Sequence, residues 1–310
     1  MIRPDESPGR SAMEYFGLWL KGVSMGAADV VPGVSGGTMA FILGIYQELI
    51  TSIRSFDIRF LRLAASLRFR EALERVRWKF LAAVGTGILC AVFSMARVLS
   101  WLLHNHPVPV WSFFFGLIVA SLFTVGRRIG TWHPGIPAGI ALGAAGTYVL
   151  VGMVPVETPV SPWFLFLSGA VAICAMILPG ISGAFILVLL GKYLYVLDAV
   201  NNRDFFTLAL VAGGAVVGLI SFARLLGWFF QRFHDATMAV LTGLMLGSLR
   251  KIWPWKLAVE SAPVESGGTL SGTPINVFPS QWTSEVTLAL VLALAGFLVV
   301  MAVSRRAGNL

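Results

Sequence analysis

Apolar residues in this chain run in long blocks separated by short polar breaks, without the alternation of a half-buried strand. Blocks at roughly 80 to 103, 111 to 126, 138 to 152, 206 to 229, 237 to 252 and 285 to 304 are read as six full membrane-spanning helices. Two further apolar regions, 13 to 53 and 163 to 200, are each interrupted by a Pro-Gly-x-Ser-Gly element, Pro32 to Gly36 and Pro179 to Gly183. An interrupted pair that enters and leaves on one side is a re-entrant hairpin, and parity equally allows two complete crossings. The pattern predicts an all-α polytopic membrane protein.

Composition narrows this further. Of 310 residues, 57% are hydrophobic and 12% charged, whereas soluble domains carry about a quarter charged residues. The polar segments are too short to fold independently, so a single integral membrane domain is expected over 1–310. A net charge of +8 would suggest nucleic acid in a soluble protein. Beside apolar spans, basic residues encode orientation instead, and no nucleic-acid partner is expected.

Eight basic residues against three acids fall within 54–79, which places that segment in the cytoplasm. Phe60, Leu63, Leu67, Leu73 and Val76 recur there at helical spacing, as in an amphipathic helix lying on anionic lipid. A solvated basic loop is the alternative. The stretch 258–284 has no Lys or Arg and belongs outside, so both termini fall inside. Residues 1 to 12 lack an apolar core, and no cleavable signal peptide is expected.

The chain also matches itself. At an offset of 147, Pro32, Gly33, Ser35, Gly36, Leu43, Gly44 and Tyr46 fall on Pro179, Gly180, Ser182, Gly183, Leu190, Gly191 and Tyr193. At an offset of 127, Ser94, Ala96, Arg97, Leu99 and Trp101 fall on Ser221, Ala223, Arg224, Leu226 and Trp228, and Gly116 and Leu117 on Gly243 and Leu244. The difference is the basic insertion in the first half. This divides the chain into repeat 1 (about 13–129), a linking span (138–152), repeat 2 (about 163–256), an extracytoplasmic loop (258–284) and a C-terminal span (285–304). The first hairpin opens to the cytoplasm and the second to the outside, which makes an inverted-topology repeat. Transporters use that architecture, with a site between the halves near the midplane.

The doubled element carries the candidate chemistry. Proline ends the incoming helix, the glycines permit a tight turn, and Ser or Thr can cap the outgoing half-helix. The backbone N–H groups and side chains of Gly33, Ser35, Gly36, Gly37 and Thr38, and of Gly180, Ser182 and Gly183, are therefore candidates for holding an anion, a phosphate or carboxylate. Glycines that only allow close helix packing are the alternative. Arg97 and Arg224, at equivalent repeat positions within spans, are the second constellation, since a guanidinium fork fits a phosphate. Either alone could instead snorkel to headgroups.

Asp29 precedes the first Pro-Gly turn, while its repeat equivalent is Met176. An acid on one side only suits proton or sodium coupling, with a purely structural carboxylate as the alternative. Glu48 is a second, weaker coupling candidate, close to the cytoplasmic end of its apolar run.

Catalysis has little material. Gly-x-Ser-Gly at Gly33 and Gly180 matches intramembrane serine proteases, but that chemistry needs a histidine within the membrane. His104, His106, His133 and His234 all fall in loops or at span ends, and no lipid-phosphatase spacing is present. Cys90 and Cys174 read as small core residues. No metal site and no cofactor is expected.

The run from Asp29 to Tyr46, with Pro32-Gly-Val-Ser-Gly-Gly-Thr38 inside it, and the run from Ile177 to Leu187 resemble a bacterial membrane family long catalogued as domain of unknown function 368, the polyprenyl-phosphate transporters (PopT). The likeness covers roughly 13 to 256. It departs at Gln47-Glu48, where two acids are expected. The resemblance implies a flippase in the cytoplasmic membrane that returns undecaprenyl phosphate, the lipid carrier of cell-wall precursors, from the outer to the inner leaflet. It also implies that both Pro-Gly elements and the paired arginines form the headgroup site. With no ATP site, direction would come from an ion gradient or from removal of the lipid inside. A transporter of a small soluble anion is the other reading of the same donors.

Overall fold

The structure is a computed structural model that describes residues 10–31, 34–257 and 275–306. It is helical apart from a two-residue antiparallel strand pair, β1 (Lys256–Leu257) with β2 (Ile275–Asn276). The N-terminal arm comprises α1 (Ala12–Val30), the short α2 (Gly36–Ile42) and α3 (Tyr46–Arg54). Ser11 and Glu14 close a capping box at the start of α1, which satisfies two of its free N–H groups. Helices α4 (Ile58–Ala65) and α5 (Phe69–Arg75) follow, then the long α6 (Trp78–Asn105), α7 (Pro107–Gly126) and α8 (Gly135–Leu150). The second half runs through α9 (Pro162–Ile177), α10 (Gly183–Leu189), α11 (Tyr193–Asn201), α12 (Phe205–Arg232), α13 (His234–Ile252) and α14 (Ser284–Arg306).

Four helices are long and apolar enough to cross a membrane: α6, α7, α12 and α14. A fifth crossing is available if α10 and α11, which bend by 105° at their junction, count as one broken span. Two of the six expected full spans, in α8 and α13, are not among these. α8 has 16 residues, about 24 Å at 1.5 Å per residue against a core of about 30 Å. α13 is long enough but carries Arg250 and Lys251 in its last turn and buried Thr237, Thr242 and Ser248 along its length. These two pack on each other, so α13 faces protein.

Bare glycine surfaces set the helix pairing, and the same contacts recur at the sequence offsets of the two halves. A methyl group at Gly22 would lie 2.2 Å from Val84 O, and one at Gly169 would lie 2.1 Å from Val211 O. The return contacts are Gly87 against Trp19 O and Gly214 against Phe166 O. These glycines close α1 on α6 and α9 on α12. Close approach lets weak dispersion contacts accumulate where no hydrophobic driving force separates protein from lipid. α7 and α13 are treated alike: Gly116 abuts Ala293 O of α14, and Gly243 abuts Ile140 O of α8. Gly296 and Gly143 then meet Phe113 O and Val240 O in return.

The basic segment forms two short helices, because Leu67 turns the chain at a φ of 58°. Arg68–Glu71, Arg70–Glu74 and Arg75–Asp57 pair along its surface, and Leu67, Phe69 and Leu73 stay exposed. Cys90 corrects an expectation: it is exposed on α6, an outward position open to a small apolar side chain in a helix of membrane-spanning length. The loop 258–274 lies outside the described residues. In the main core, Ala40 and Thr38 of α2, Ser121 of α7, and Met245 and Ile252 of α13 are fully buried.

Candidate functional site

The two interrupted elements meet in that core. Ser35 Oγ donates to Met176 O at 2.7 Å and accepts from Gly37 N at 3.0 Å. Thr38 Oγ1 accepts from Gly180 N at 2.9 Å, and Tyr46 donates its hydroxyl to Ile177 O at 3.0 Å. Three side chains of the first element thus satisfy the backbone of the second across 131 to 142 residues of sequence. The approach is close because Gly37 has no side chain: a methyl there would lie 2.4 Å from Ile177 O. Gly180 supplies the turn with a φ of +94°, a conformation other residues rarely adopt. Gly44 and Gly191, at matched positions after α2 and α10, turn the same way at 73° and 62°.

The α2 end differs from the expected open nest. Gly36 N donates to Asp29 Oδ1 at 2.7 Å, Gly37 N to Ser35 Oγ, and Thr38 N to Ser35 O. Its first donors are therefore already engaged within the chain. At α10 the arrangement is apolar: Gly183 packs against Met176, which stands where Asp29 stands in the first half, and Ser182 makes no capping bond. Asp29 accordingly acts here as the acceptor of a helix N-terminus, an arrangement the macrodipole favours. Gly33, with Pro32, lies outside the described residues.

The remaining candidates sit away from this crossing. Arg97 and Arg224 occupy the same position of two 28-residue helices, α6 and α12, and both are exposed. Arg224 donates to Phe56 O at 3.0 Å, after the end of α3. Among the described residues neither arginine hydrogen-bonds to a Pro-Gly element. Glu48 is paired twice, with Arg10 at 2.8 Å and Arg77 at 3.3 Å, so it ties α3 to the segment before α1 and to the basic segment.

The family described as undecaprenyl phosphate translocase-like (VCA0040-like) matches residues 25–270. A polyprenyl-phosphate transporter of Vibrio cholerae is 40% identical over 301 residues, covering 95% of this chain and 98% of the relative. A second, from Staphylococcus aureus, is 30% identical over 254 residues, 76% of this chain and 85% of the relative. The chain belongs to this family.

Both of these translocase-family relatives bear the name of a transporter, not of an enzyme. Ser35 directs its hydroxyl to the Met176 carbonyl. No solved structure matches the chain.

Sequence reasoning missed the polar surroundings of Gln47. Cavities lined by Arg54, Arg128, Gln47 and His234 open there, on the α3 side of α12 and α13. Arg54 falls within the basic orientation segment and His234 at a span end, and no local spacing joins them. An apolar groove lies between α12 and α13, with Leu178 of the second Pro-Gly turn in its lining.

Proposed function

We propose that this protein carries a polyprenyl phosphate from the outer to the inner leaflet of the cytoplasmic membrane by alternating access of an inverted-topology repeat. The recurrence of glycine contacts at matched offsets supports two equivalent halves. In this reading 138–152 is the last helix of the first half and no linker, since α8 and α14 make matching contacts with α13 and α7. Each half then lends its last helix to the other. Such an exchange couples the halves, so that movement of one is felt by both.

The observation that carries the proposal is the interlock of Ser35, Thr38 and Tyr46 with 176–180 at the buried centre. It closes the path between the halves. When it parts, the hydroxyls of Ser35 and Thr38 and the N–H group of Gly180 come free together, with Ser182 opposite. Those donors replace water around a phosphate, which lowers the cost of moving a charged headgroup through hydrocarbon. The polyprenyl tail stays in lipid throughout. Arg97 and Arg224, on equivalent helices toward opposite membrane faces, meet the headgroup at each side.

Asp29 is the coupling carboxylate for a proton or sodium ion in this scheme. Its bond to Gly36 N links its charge state to the helix whose residues form the interlock. Cells depleted of the protein should accumulate surface-exposed undecaprenyl phosphate, and wild-type protein should reverse this. Unchanged surface display on depletion rules the proposal out.

A further inference from the structure

Gln47 lines two cavities. One, of about 170 Å³, is lined by Arg54, Thr51, Gln231 and His234 as well as Gln47. The other, of about 210 Å³, is lined by Arg128, Tyr46, Phe41 and Met238 with Gln47. Arg128 Nε is buried without a hydrogen-bond partner. Among the described residues, neither Arg54 nor Arg128 has an acidic partner. The carboxylates next in sequence to Gln47 and His234 are held by other partners: Glu48 by Arg10 and Arg77, Asp235 by Thr131, Gly130 N and the His234 ring. A guanidinium withdrawn from water without a counter-charge is costly, and an anion recovers that cost.

The other donors converge on the same place. His234 Nδ1 lies 3.2 Å from Asp235 Oδ1, and with the proton on that nitrogen His234 Nε2 accepts from the Gln47 amide. Gln47 Nε2 lies 3.3 Å from His234 Nε2, so the imidazole orients the Gln47 amide, whose second N–H is left to donate, and Gln47 lines both cavities. Arg54 rests on the bare Cα of Gly227, where a methyl group would lie 2.4 Å from Arg54 Cδ.

The turn between α12 and α13 serves two different environments. Phe230, Gln231 and His234 line the polar side. Phe229, Phe233 and Ala236 line the apolar groove, about 450 Å³, which continues past Val240 and Leu244 to Leu178. Leu225, Phe229 and Phe233 are 48%, 39% and 48% exposed, so the groove is open along the outward face of a helix of membrane-spanning length. Tyr46 lines the polar cavity and bonds to Ile177 O, one residue from the groove's Leu178. Cations at one end and hydrocarbon beside it suit a phosphate monoester on a long apolar chain.

Resting on the transport reading above, we propose that Arg54 and Arg128, with Gln47 and His234, form the docking site of the phosphate headgroup at the inner leaflet. The α12–α13 groove takes the first isoprenoid units of the same lipid. The lipid leaves the central crossing for this site before release.

The test is calorimetric binding of farnesyl monophosphate, farnesol and inorganic phosphate to the purified full-length protein in detergent. Arg54→Gln and Arg128→Gln should each weaken farnesyl monophosphate by about tenfold, the worth of a charge-assisted bond, and leave farnesol binding unchanged. Gly227→Ala, which keeps both cations but displaces Arg54, should weaken it by a smaller factor. Val240→Trp, which fills the groove, should weaken farnesyl monophosphate and farnesol but not inorganic phosphate. Arg70→Gln, in an exposed ion pair, is the control and should bind as wild type. Retained farnesol binding in the arginine variants reports an intact fold. Wild-type affinity for farnesyl monophosphate in both arginine variants overturns the headgroup assignment and leaves the transport reading standing. Inorganic phosphate that binds as tightly as farnesyl monophosphate, with no effect of Val240→Trp, overturns the groove assignment. Absence of farnesyl monophosphate binding to wild type, together with absence of lipid movement in vesicles, overturns both.

Discussion

Thr38 Oγ1 accepts a 2.9 Å hydrogen bond from Gly180 N, so a fully buried hydroxyl of one Pro-Gly element completes the backbone of the other. The Gly180 turn gives that N–H its direction, and Thr38 is the acceptor it meets. Thr38→Val keeps the shape and leaves Gly180 N unpaired in a buried setting, which costs about 1–3 kcal/mol. Thr38→Ser should restore most of it. Thermal unfolding in detergent checks both, and equal melting of Thr38→Val and wild type would show that the bond contributes nothing.

Asp29→Asn retains an oxygen that can accept from Gly36 N but removes the charge. The expected outcome is a protein that folds and melts close to wild type, yet moves lipid at a rate no longer responsive to an imposed proton or sodium gradient. Vesicles assayed with and without each gradient provide the readout. A gradient response as large as in wild type would remove Asp29 from coupling.

The glycine contacts separate into two classes. A methyl group at Gly116 or Gly214 would lie 1.9 or 1.8 Å from a facing carbonyl, so Gly→Ala there must push helices apart. Overpacking of this kind costs about 1–3 kcal/mol or more. Gly85 and Gly146 have nothing within 4 Å, and Gly→Ala there should be neutral or stabilising by up to about 1 kcal/mol through helix propensity. Melting temperatures of the four variants should therefore fall into two groups.

Lys256, on β1, is pushed down to about 8, first by burial and then by the charge of Lys251. Between pH 8 and the ordinary lysine value of 10.5 the unfolded chain holds more protons than the folded one. The folded state gains stability as pH rises through that window, and the cost of the buried charge is fully present below it. Raising pH from 8 to 10 should raise the melting temperature of wild type more than that of Lys256→Met. Parallel curves would contradict the assignment.

The sequence exposed the duplication because Pro, Gly, Ser and Tyr recur at fixed offsets, and residues such as Gly22 and Gly169 show why: each closes a helix pair. It also singled out Ser35, Thr38 and Gly180, which form the central crossing. What it could not show was pairing across distance. The bond from Gly36 N to Asp29 fills the helix end that composition alone suggests is open. Glu48 reads as a lone acid until Arg10 and Arg77 are folded against it. Arg54, Arg128 and His234 come from three separate turns, so only tertiary structure assembles them. The proposed pairing of 138–152 with 285–304 is hidden in the sequence for a related reason: it rests on glycine contacts with α13 and α7, and the two spans share no motif.

The central claim is that the crossing of the two Pro-Gly elements must part for a polyprenyl phosphate to pass. Its most direct test is a protein carrying Tyr46→Cys and Ile177→Cys in a Cys90→Ser, Cys174→Ser background, reconstituted in vesicles with a fluorescent short-chain polyprenyl phosphate, where a short bis-methanethiosulfonate reagent bridges the gap that the Tyr46 ring spans to Ile177 O. Transbilayer movement should run well above the protein-free rate before bridging, stop when the reagent joins the two elements, and resume when reduction releases it. Movement at the protein-free rate with wild-type protein, or movement that continues at full rate through the locked crossing, would contradict the account.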